Sequence, residues 1–198
     1  MLDILDSLIQ CYPVLSACKD GILSAYRLIE KCYVSNGKLL VCGNGGSAAD
    51  ADHIVGELMK GFMAERRLDS QSELFLHLQG GLPAISLCAH SGLISAFAND
   101  CDPEYVFAQQ VYAYSKNSPD LLLALSTSGN SKNVVRAVQT ANETGIDSVS
   151  ITGKNESELS KISTVCIKLP ETETYKIQEL TLPVYHCLCA MIEKRFFG

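Results

Sequence analysis

The stretch Leu39-Leu40-Val41-Cys42-Gly43-Asn44-Gly45-Gly46-Ser47 is an apolar run that leads directly into a glycine-rich turn. The residues that follow, from Ala48 to Phe62, have the spacing of a helix. A strand, a turn and a helix in this order expose backbone N–H groups at the helix N-terminus, where the partial positive charge favours an anion such as phosphate. The glycines also suit a purely structural tight turn, and they match neither a dinucleotide fingerprint nor a P-loop.

Four further apolar runs have the character of buried strands, and helical patterns separate most of them. The runs lie at 83–88, 121–125, 148–151 and 165–169, and the helical patterns at 103–115, 132–144 and 156–161. Continuous apolar strands that alternate with helices predict an α/β fold with a five-stranded parallel sheet sandwiched by helices. Ligands bind such sheets at the carboxyl ends of the strands.

Helical spacing also marks both ends of the chain. Residues 2–35 predict two helices, broken near Pro13 or Gly21, and residues 176–197 predict a long helix. Pro183 is expected to kink this last helix or to mark its first turn. The polar segment 64–81 is expected to form a loop or lid. The sequence therefore predicts a single domain over 1–198, with an N-terminal helical segment at 1–36 and an α/β core at 37–198.

Composition restricts the class of protein. The 198 residues carry a net charge of −6, which argues against non-specific nucleic-acid binding. The chain opens without the pattern of a signal peptide and has no apolar run of bilayer length, so we expect no membrane partner and a cytoplasmic location. Nine cysteines occur without a Cys-x-x-Cys motif, which favours buried thiols in a reducing compartment.

A second turn between a strand and a helix is dense in hydroxyl groups. It reads Ser126-Thr127-Ser128-Gly129-Asn130-Ser131 and precedes the helical pattern at 132–144. Four hydroxyls in six residues exceed what a helix cap needs, and each of them can donate to a phosphate oxygen. The turn therefore predicts phosphate binding, and helix capping by Ser128, Asn130 or Ser131 is the alternative.

The helix after the glycine-rich turn carries Asp50, His53 and Glu57. His53 and Glu57 are four residues apart and share one helical face, with Asp50 one turn earlier. A histidine and a carboxylate at this spacing can bind a divalent metal or act as an acid/base pair. Near the C-terminus, His186 lies among apolar residues, where an ordinary core histidine is the alternative.

Together these motifs resemble the phosphoheptose isomerase family of the SIS (sugar isomerase) domain superfamily. The resemblance rests on Cys42–Ser47, on Asp50–His53 with Glu57, on Ser126–Ser131, and on Ile177–Glu179 with His186. It implies a flavodoxin-like sheet and a homotetramer, which the helices of 1–36 assemble and which has its active sites between subunits. It also implies conversion of D-sedoheptulose 7-phosphate to D-glycero-D-manno-heptose 7-phosphate, an early step towards surface-polysaccharide heptose.

The same resemblance implies roles for individual residues. Glu57 would be the catalytic base and His186 its acid/base partner. A zinc ion would be held by His53, Glu57, Gln178 and His186. The sugar phosphate would contact Asn44, Gly45, Gly46, Ser47, Asn99, Asp100, Ser126, Thr127, Ser128, Ser131 and Gln178.

The spacing of Gln178 and His186 constrains the zinc site. Eight residues correspond to about 12 Å along a straight helix, too far for one ion. Either the chain bends near Pro183, or the helix begins after Gln178, or the two ligands come from different subunits.

Two other functions fit the same residues. One is a non-catalytic phosphosugar- or protein-binding module of the kind that binds a replication initiator, although His53, Glu57 and His186 are all present. The other is an isomerase of a different ketose phosphate. The chain departs from the family at Thr181, where many members have histidine, and at Tyr175, where many have an acid.

Overall fold

The centre of the molecule is a five-stranded parallel sheet. The computed structural model describes residues 1–115 and 118–198. The strands are β1 (Leu39–Cys42), β2 (Ala84–Ser86), β3 (Leu121–Leu125), β4 (Asp147–Thr152) and β5 (Val165–Lys168). They are ordered β2-β1-β3-β4-β5, and all neighbours are parallel. The predicted α/β fold with a flavodoxin-like sheet is confirmed.

Helices cover both faces of this sheet, and the residues of β1 and β3 alternate between two cores. Within the described residues the α-helices are α1 (Leu2–Cys11), α2 (Lys19–Val34), α3 (Gly46–Met59), α4 (Ser91–Asp100), α5 (Val106–Ser115), α6 (Lys132–Thr144), α7 (Glu158–Ile162) and α8 (Thr174–Phe197). In β1, Leu39 and Val41 face the core formed with α1, α2, α3 and α8. Leu40 and Cys42 face the core formed with α5, α6 and α7.

The N-terminal helices pack on the same core as the sheet. Leu5, Leu15 and Ile22 are fully buried within the single chain. The break between the helices falls at Pro13, where a 3-10 segment, Pro13–Cys18, begins, while Gly21 lies inside α2. Of the two predicted break points, the one at Pro13 is therefore confirmed.

Two predictions about helices need correction. Pro183 lies inside α8, which runs from Thr174 to Phe197, so it does not mark the first turn. For the same reason the helix does not begin after Gln178. The sequence patterns also gave no sign of α4, and none of the residues of α4 is fully buried.

Segment 64–81 is a loop, as predicted, apart from a short 3-10 turn at Phe75–His77 and an isolated bridge between Arg67 and Gln79. Within the part of the chain that the structure describes, no helix is both long enough and apolar enough to cross a bilayer.

Candidate active site

The two turns singled out in the sequence lie side by side at the carboxyl edge of the sheet. Strands β1 and β3 are neighbours, and Cys42 is in register with Ala124. The side-chain amides of Asn44 and Asn133 donate to each other at 2.8 and 2.9 Å, which joins the first turn to the start of α6. From β1 the chain adds β2 on one side and then β3, β4 and β5 on the other, so the strand order reverses between β1 and β3. Doubly wound sheets bind ligands at this position.

The hydroxyl-rich turn is compact and closely packed. The hydroxyls of Ser126 and Ser131 are 3.0 Å apart, and Ser126 is buried. Gly129 has a φ of +65°, and an added Cβ would lie 2.1 Å from the hydroxyl of Ser157, so only glycine fits there. Ser131 precedes α6, but its side chain makes no capping hydrogen bond. Helix capping by Ser131 therefore does not explain its hydroxyl.

A cavity of about 310 Å³ adjoins this turn. The turn contributes Thr127, Ser128 and Asn130 to its wall, and the segment after β4 contributes Lys154. The lining also includes Ile177, next to Gln178 on α8. Space for a small polar molecule is thus open beside the turn predicted to bind phosphate.

Helices α3 and α8 run beside each other in the same direction. At one end, the side-chain amide of Gln178 approaches Gly46 so closely that an added Cβ at Gly46 would lie 2.6 Å from Nε2 and the amide would have to shift. Seven residues further along α3, Nε2 of His53 lies 3.4 Å from Nε2 of His186 on α8. Gln178 and His186 therefore lie at different levels of the helix pair, about 12 Å apart along α8.

A cluster of titratable side chains forms where the two helices meet. Nε2 of His53 lies 3.2 Å from Oε1 of Glu57, while its Nδ1 lies 2.9 Å from the hydroxyl of Tyr185. Nζ of Lys60 lies 3.5 Å from the other carboxylate oxygen of Glu57. The structure thus brings together the predicted base, its predicted partner His186 and the histidine between them.

Partial burial sets the charge state of this cluster. Desolvation, and then the neighbouring His53, lower the pKa of His186, which favours the neutral imidazole. Desolvation raises the pKa of Asp50 and outweighs the hydrogen bond from Tyr185. Desolvation and the adjacent Asp50 raise the pKa of Tyr185, so its hydroxyl stays protonated at neutral pH. A neutral imidazole beside a carboxylate can move protons in either direction.

Asn99 and Asp100, predicted to bind substrate, stand apart from this arrangement. Both are exposed at the end of α4, where the amide of Asn99 donates to the carboxylate of Asp100 at 2.8 Å. In residues 1–115 and 118–198, no hydrogen bond links either side chain to the two turns or to His53, Glu57 or His186.

Comparison with known proteins identifies the family of this chain. A family model described as SIS domain matches residues 10–153. The phosphoheptose isomerase of Rhodospirillum rubrum is 34% identical over 183 residues, which cover 92% of this chain and 90% of that protein. The phosphoheptose isomerase of Alkalilimnicola ehrlichii is 38% identical over 187 residues, covering 93% and 88%. This chain belongs to the phosphoheptose isomerase family.

The fold of this family matches over nearly the whole chain. A solved phosphoheptose isomerase from Francisella tularensis superimposes with a TM-score of 0.80 at 30% identity, covering 96% of this chain and 94% of that one. The SIS match ends at residue 153, so α8 with Gln178 and His186 lies beyond it. The similarity to full-length family members, however, extends over nine-tenths of the chain.

The donor types of this family member suit zinc, but their arrangement in the single chain does not form a metal site. The distances from Nε2 of His53 to Glu57 and to His186 are 3.2 and 3.4 Å. They are close to the roughly 3.3 Å between two ligand atoms of tetrahedral zinc. Gln178 lies apart, however, and among the described residues no group of three His, Cys, Asp or Glu side chains is placed to hold a metal ion.

Sequence reasoning missed a buried ion pair at the end of α3. Arg66, in the loop predicted from its polarity, is 2% exposed, and its Nε lies 2.8 Å from Oε1 of Glu193 on α8. The carboxylate of Glu193 also accepts from the backbone N–H groups of Phe62 and Met63 at 2.8 Å each. The signal in the sequence was Glu193, an acid that directly follows the apolar stretch 187–192.

Proposed function

We propose that this protein is a phosphoheptose isomerase, which interconverts D-sedoheptulose 7-phosphate and D-glycero-D-manno-heptose 7-phosphate. The single observation that carries the proposal is the placement of Glu57 and His186 within hydrogen-bond reach of the same His53 ring. Family membership supplies the reaction class, and the two adjoining turns supply a place for the sugar phosphate.

The reaction moves one proton between adjacent carbons. Sedoheptulose 7-phosphate has its carbonyl at C2, so the base takes a proton from C1 and an enediol forms. Return of that proton to C2, with a proton passing from the C1 oxygen to the C2 oxygen, gives the aldose with no change in composition. We assign the carbon-bound proton to Glu57 and the oxygen-bound proton to His186, because a carboxylate and a neutral imidazole suit these transfers.

The phosphate is assigned to the hydroxyl-rich turn. Ser126, Thr127, Ser128 and Ser131 would donate to its oxygens, and the N-terminus of α6 would add its partial positive charge. The glycine-rich turn, with Asn44, Gly45, Gly46 and Ser47, and Gln178 opposite Gly46, would hold the sugar. The reacting carbons of this substrate lie at the end of the chain away from the phosphate, and His53 and Glu57 likewise lie further along α3 than Gly46.

Zinc and the tetramer belong to the same proposal. His53, Glu57 and His186 would hold the ion, which when bound polarises the substrate carbonyl. The three side chains are not placed to hold a metal ion in the single chain. Zinc binding therefore requires them to move, or requires a neighbouring subunit to supply a further ligand. Asn99 and Asp100 would then reach the sugar only in the assembled site. We further propose that residues 1–36 assemble a homotetramer and that the protein works in the cytoplasm, where its nine free thiols stay reduced.

The test is turnover of a panel of ketose 7-, 6- and 5-phosphates, with detection of the aldose product. We expect the 7-phosphate to be the best substrate. If only a shorter ketose phosphate is converted, that sugar is the substrate instead, and the reaction class stays aldose–ketose isomerisation. Binding of phosphosugar without turnover of any of them would favour the non-catalytic module.

Metal analysis tests the zinc assignment separately. Protein prepared without chelator is expected to contain zinc and to lose activity when a chelator removes it. Protein that contains no metal and keeps full activity in chelator would remove zinc from the proposal.

A further inference from the structure

The backbone carbonyl of Glu57 is held by a side chain from outside its own helix. Glu57 lies in the last turn of α3, which ends at Met59, and the carbonyls of a last helical turn lack partners within the helix. The N–H of Gly61 would continue the helical pattern, but it donates to Oε1 of Gln79 at 2.8 Å. The carbonyl of Glu57 instead accepts from Nη2 of Arg66 at 2.9 Å. Without such a partner, a helix end frays.

The guanidinium of Arg66 binds two further acceptors at the same time. Its Nη1 donates to the carbonyl of Leu58 at 2.6 Å, and its Nε donates to Oε1 of Glu193 at 2.8 Å. The side chain is buried, and the guanidinium lies over the ring of Phe197 at 4.6 Å from the centroid. Because the guanidinium is a rigid planar fork, three acceptors in different directions fix both its position and its plane.

Glu193 is itself fixed by the chain that follows α3. Its carboxylate accepts from the backbone N–H groups of Phe62, Met63 and Ala64 at 2.8, 2.8 and 3.1 Å. Glu193 lies on α8, about two helical turns after His186. The helix that carries the proposed acid/base partner therefore also carries the anchor for the helix end that bears the proposed base.

We propose that Arg66 and Glu193, together called the clamp, are positioning residues that set the placement of the Glu57 carboxylate relative to His186. The role in catalysis rests on the proposed isomerase function, whereas the hold on the end of α3 does not. Misplacement of a reacting group by about 1 Å can cost about 100-fold in rate. The clamp acts on the base and not on the turns assigned to the sugar phosphate, so its loss should lower kcat and leave KM little changed.

Arg66→Lys separates the clamp from the ion pair. Lysine keeps a positive charge for Glu193, but its single ammonium group cannot replace the fork that also binds the two carbonyls of α3. We expect kcat for sedoheptulose 7-phosphate to fall about 10- to 100-fold, with KM changed by less than about twofold. Both proteins are assayed well below the unfolding midpoint of the variant, so that the folded fraction does not affect kcat.

Hydrogen exchange of backbone amides measures the clamp without turnover. The amides of Glu57, Leu58 and Met59 should exchange at least about 10-fold faster in Arg66→Lys, the effect of one lost hydrogen bond to a charged group on local opening. The amides of α6, whose buried residues belong to the core on the other face of the sheet, should exchange as in the wild-type protein.

Arg195→Lys is the matched control. Arg195 lies on α8 and also pairs with a glutamate, Glu30 on α2. Among the described residues, its guanidinium makes no hydrogen bond to α3. This variant should therefore keep both the wild-type kcat and the wild-type exchange at Glu57.

Glu193→Asp is the second variant, which serves if Arg66→Lys does not fold. Aspartate keeps the negative charge but is one methylene shorter, so it draws Arg66 away from the carbonyls of α3. The same fall in kcat and the same faster exchange at Glu57 are expected.

Three results would overturn the proposal: an unchanged kcat in a folded variant, a lower kcat with unchanged exchange at Glu57, or failure of both variants to fold. The last result would show that the pair is needed for the fold itself. Faster exchange at Glu57 in Arg66→Lys, combined with wild-type protein that converts no ketose phosphate, would keep the clamp and reject the proposed function.

Discussion

The guanidinium of Arg66 donates to the backbone carbonyl of Glu57 at 2.9 Å, so a buried side chain fixes the end of the helix that carries the proposed base. A second nitrogen of Arg66 donates to the carbonyl of Leu58 at 2.6 Å. These carbonyls belong to the last turn of α3, where they have no partner within the helix. Arg66, held in turn by Glu193, therefore couples the position of Glu57 to α8.

Glu193→Gln is expected to destabilise the protein strongly. The substitution keeps the shape of the side chain but leaves Arg66 buried without a counter-charge, which costs about 3–5 kcal/mol. Denaturant unfolding measures the loss. The neighbouring pair Arg67–Glu65 provides the control, because both of its side chains are exposed. Glu65→Gln should therefore cost less than about 1 kcal/mol. Equal, small losses for the two variants would contradict the assigned role of the buried pair.

The lowered pKa of Glu193 makes the stability of the protein depend on pH. Burial raises the pKa of Glu193, but hydrogen bonds from Phe62, Met63 and Arg66 outweigh it and hold the pKa below its ordinary value of 4.5. A carboxyl with a lowered pKa in the folded state stabilises the fold above its unfolded pKa, and the contribution is lost as pH falls through the folded pKa. The free energy of unfolding should decline as pH falls below about 4.5, and the decline should be shallower in Glu193→Gln.

Ser131→Ala should impair substrate binding more than folding. Its hydroxyl makes no helix cap but lies 3.0 Å from the hydroxyl of buried Ser126, so the stability should fall by about 0.5–1.5 kcal/mol, the net value of one hydrogen bond. A lost hydrogen bond to a charged phosphate is worth about 1.5–3 kcal/mol, which corresponds to a rise in KM of about 10- to 100-fold. Steady-state kinetics and unfolding curves separate these effects, with exposed Ser7→Ala on α1 as the control. A loss of stability with an unchanged KM would show that the Ser131 hydroxyl stabilises the fold and does not bind the phosphate.

Thiol reactivity should follow burial. All nine cysteines are free, and Cys11 and Cys101 are exposed. Burial raises the pKa of Cys32, Cys187 and Cys189 to about 12 each, which suppresses the reactive thiolate. A thiol reagent should modify two cysteines rapidly in the native protein and the others slowly or only after unfolding. Rapid modification of Cys18, Cys32, Cys42, Cys187 or Cys189 would show that the buried thiols are accessible.

The sheet could be predicted from the sequence because its strands are continuous apolar runs. Each of the five runs forms a strand, and the helix predicted at 132–144 has the observed bounds. Helix α4 was not predicted because it carries only three large apolar residues, Leu93, Ile94 and Phe97, among small and polar ones.

The candidate site could be predicted in part. Local motifs indicated His53, Glu57 and the two turns, since each turn directly follows a strand and the two side chains lie on the helix after the first turn. Contacts between distant segments could not be predicted in this way. Arg66 and Glu193 are 127 residues apart, and Tyr185 and Asp50 are 135 apart. Their partners are set by how α8 packs on α3, which no local pattern encodes.

Turnover of sedoheptulose 7-phosphate by Glu57→Gln tests the central claim most directly. The amide keeps the size of the side chain but cannot take a proton from C1, so kcat should fall at least about 100-fold, the lower range of the contribution of a general base. Phosphosugar binding should remain measurable. The control is Glu143→Gln, an exposed substitution on α6 that should retain wild-type kcat. Wild-type turnover by Glu57→Gln would contradict the assignment of Glu57 as the base.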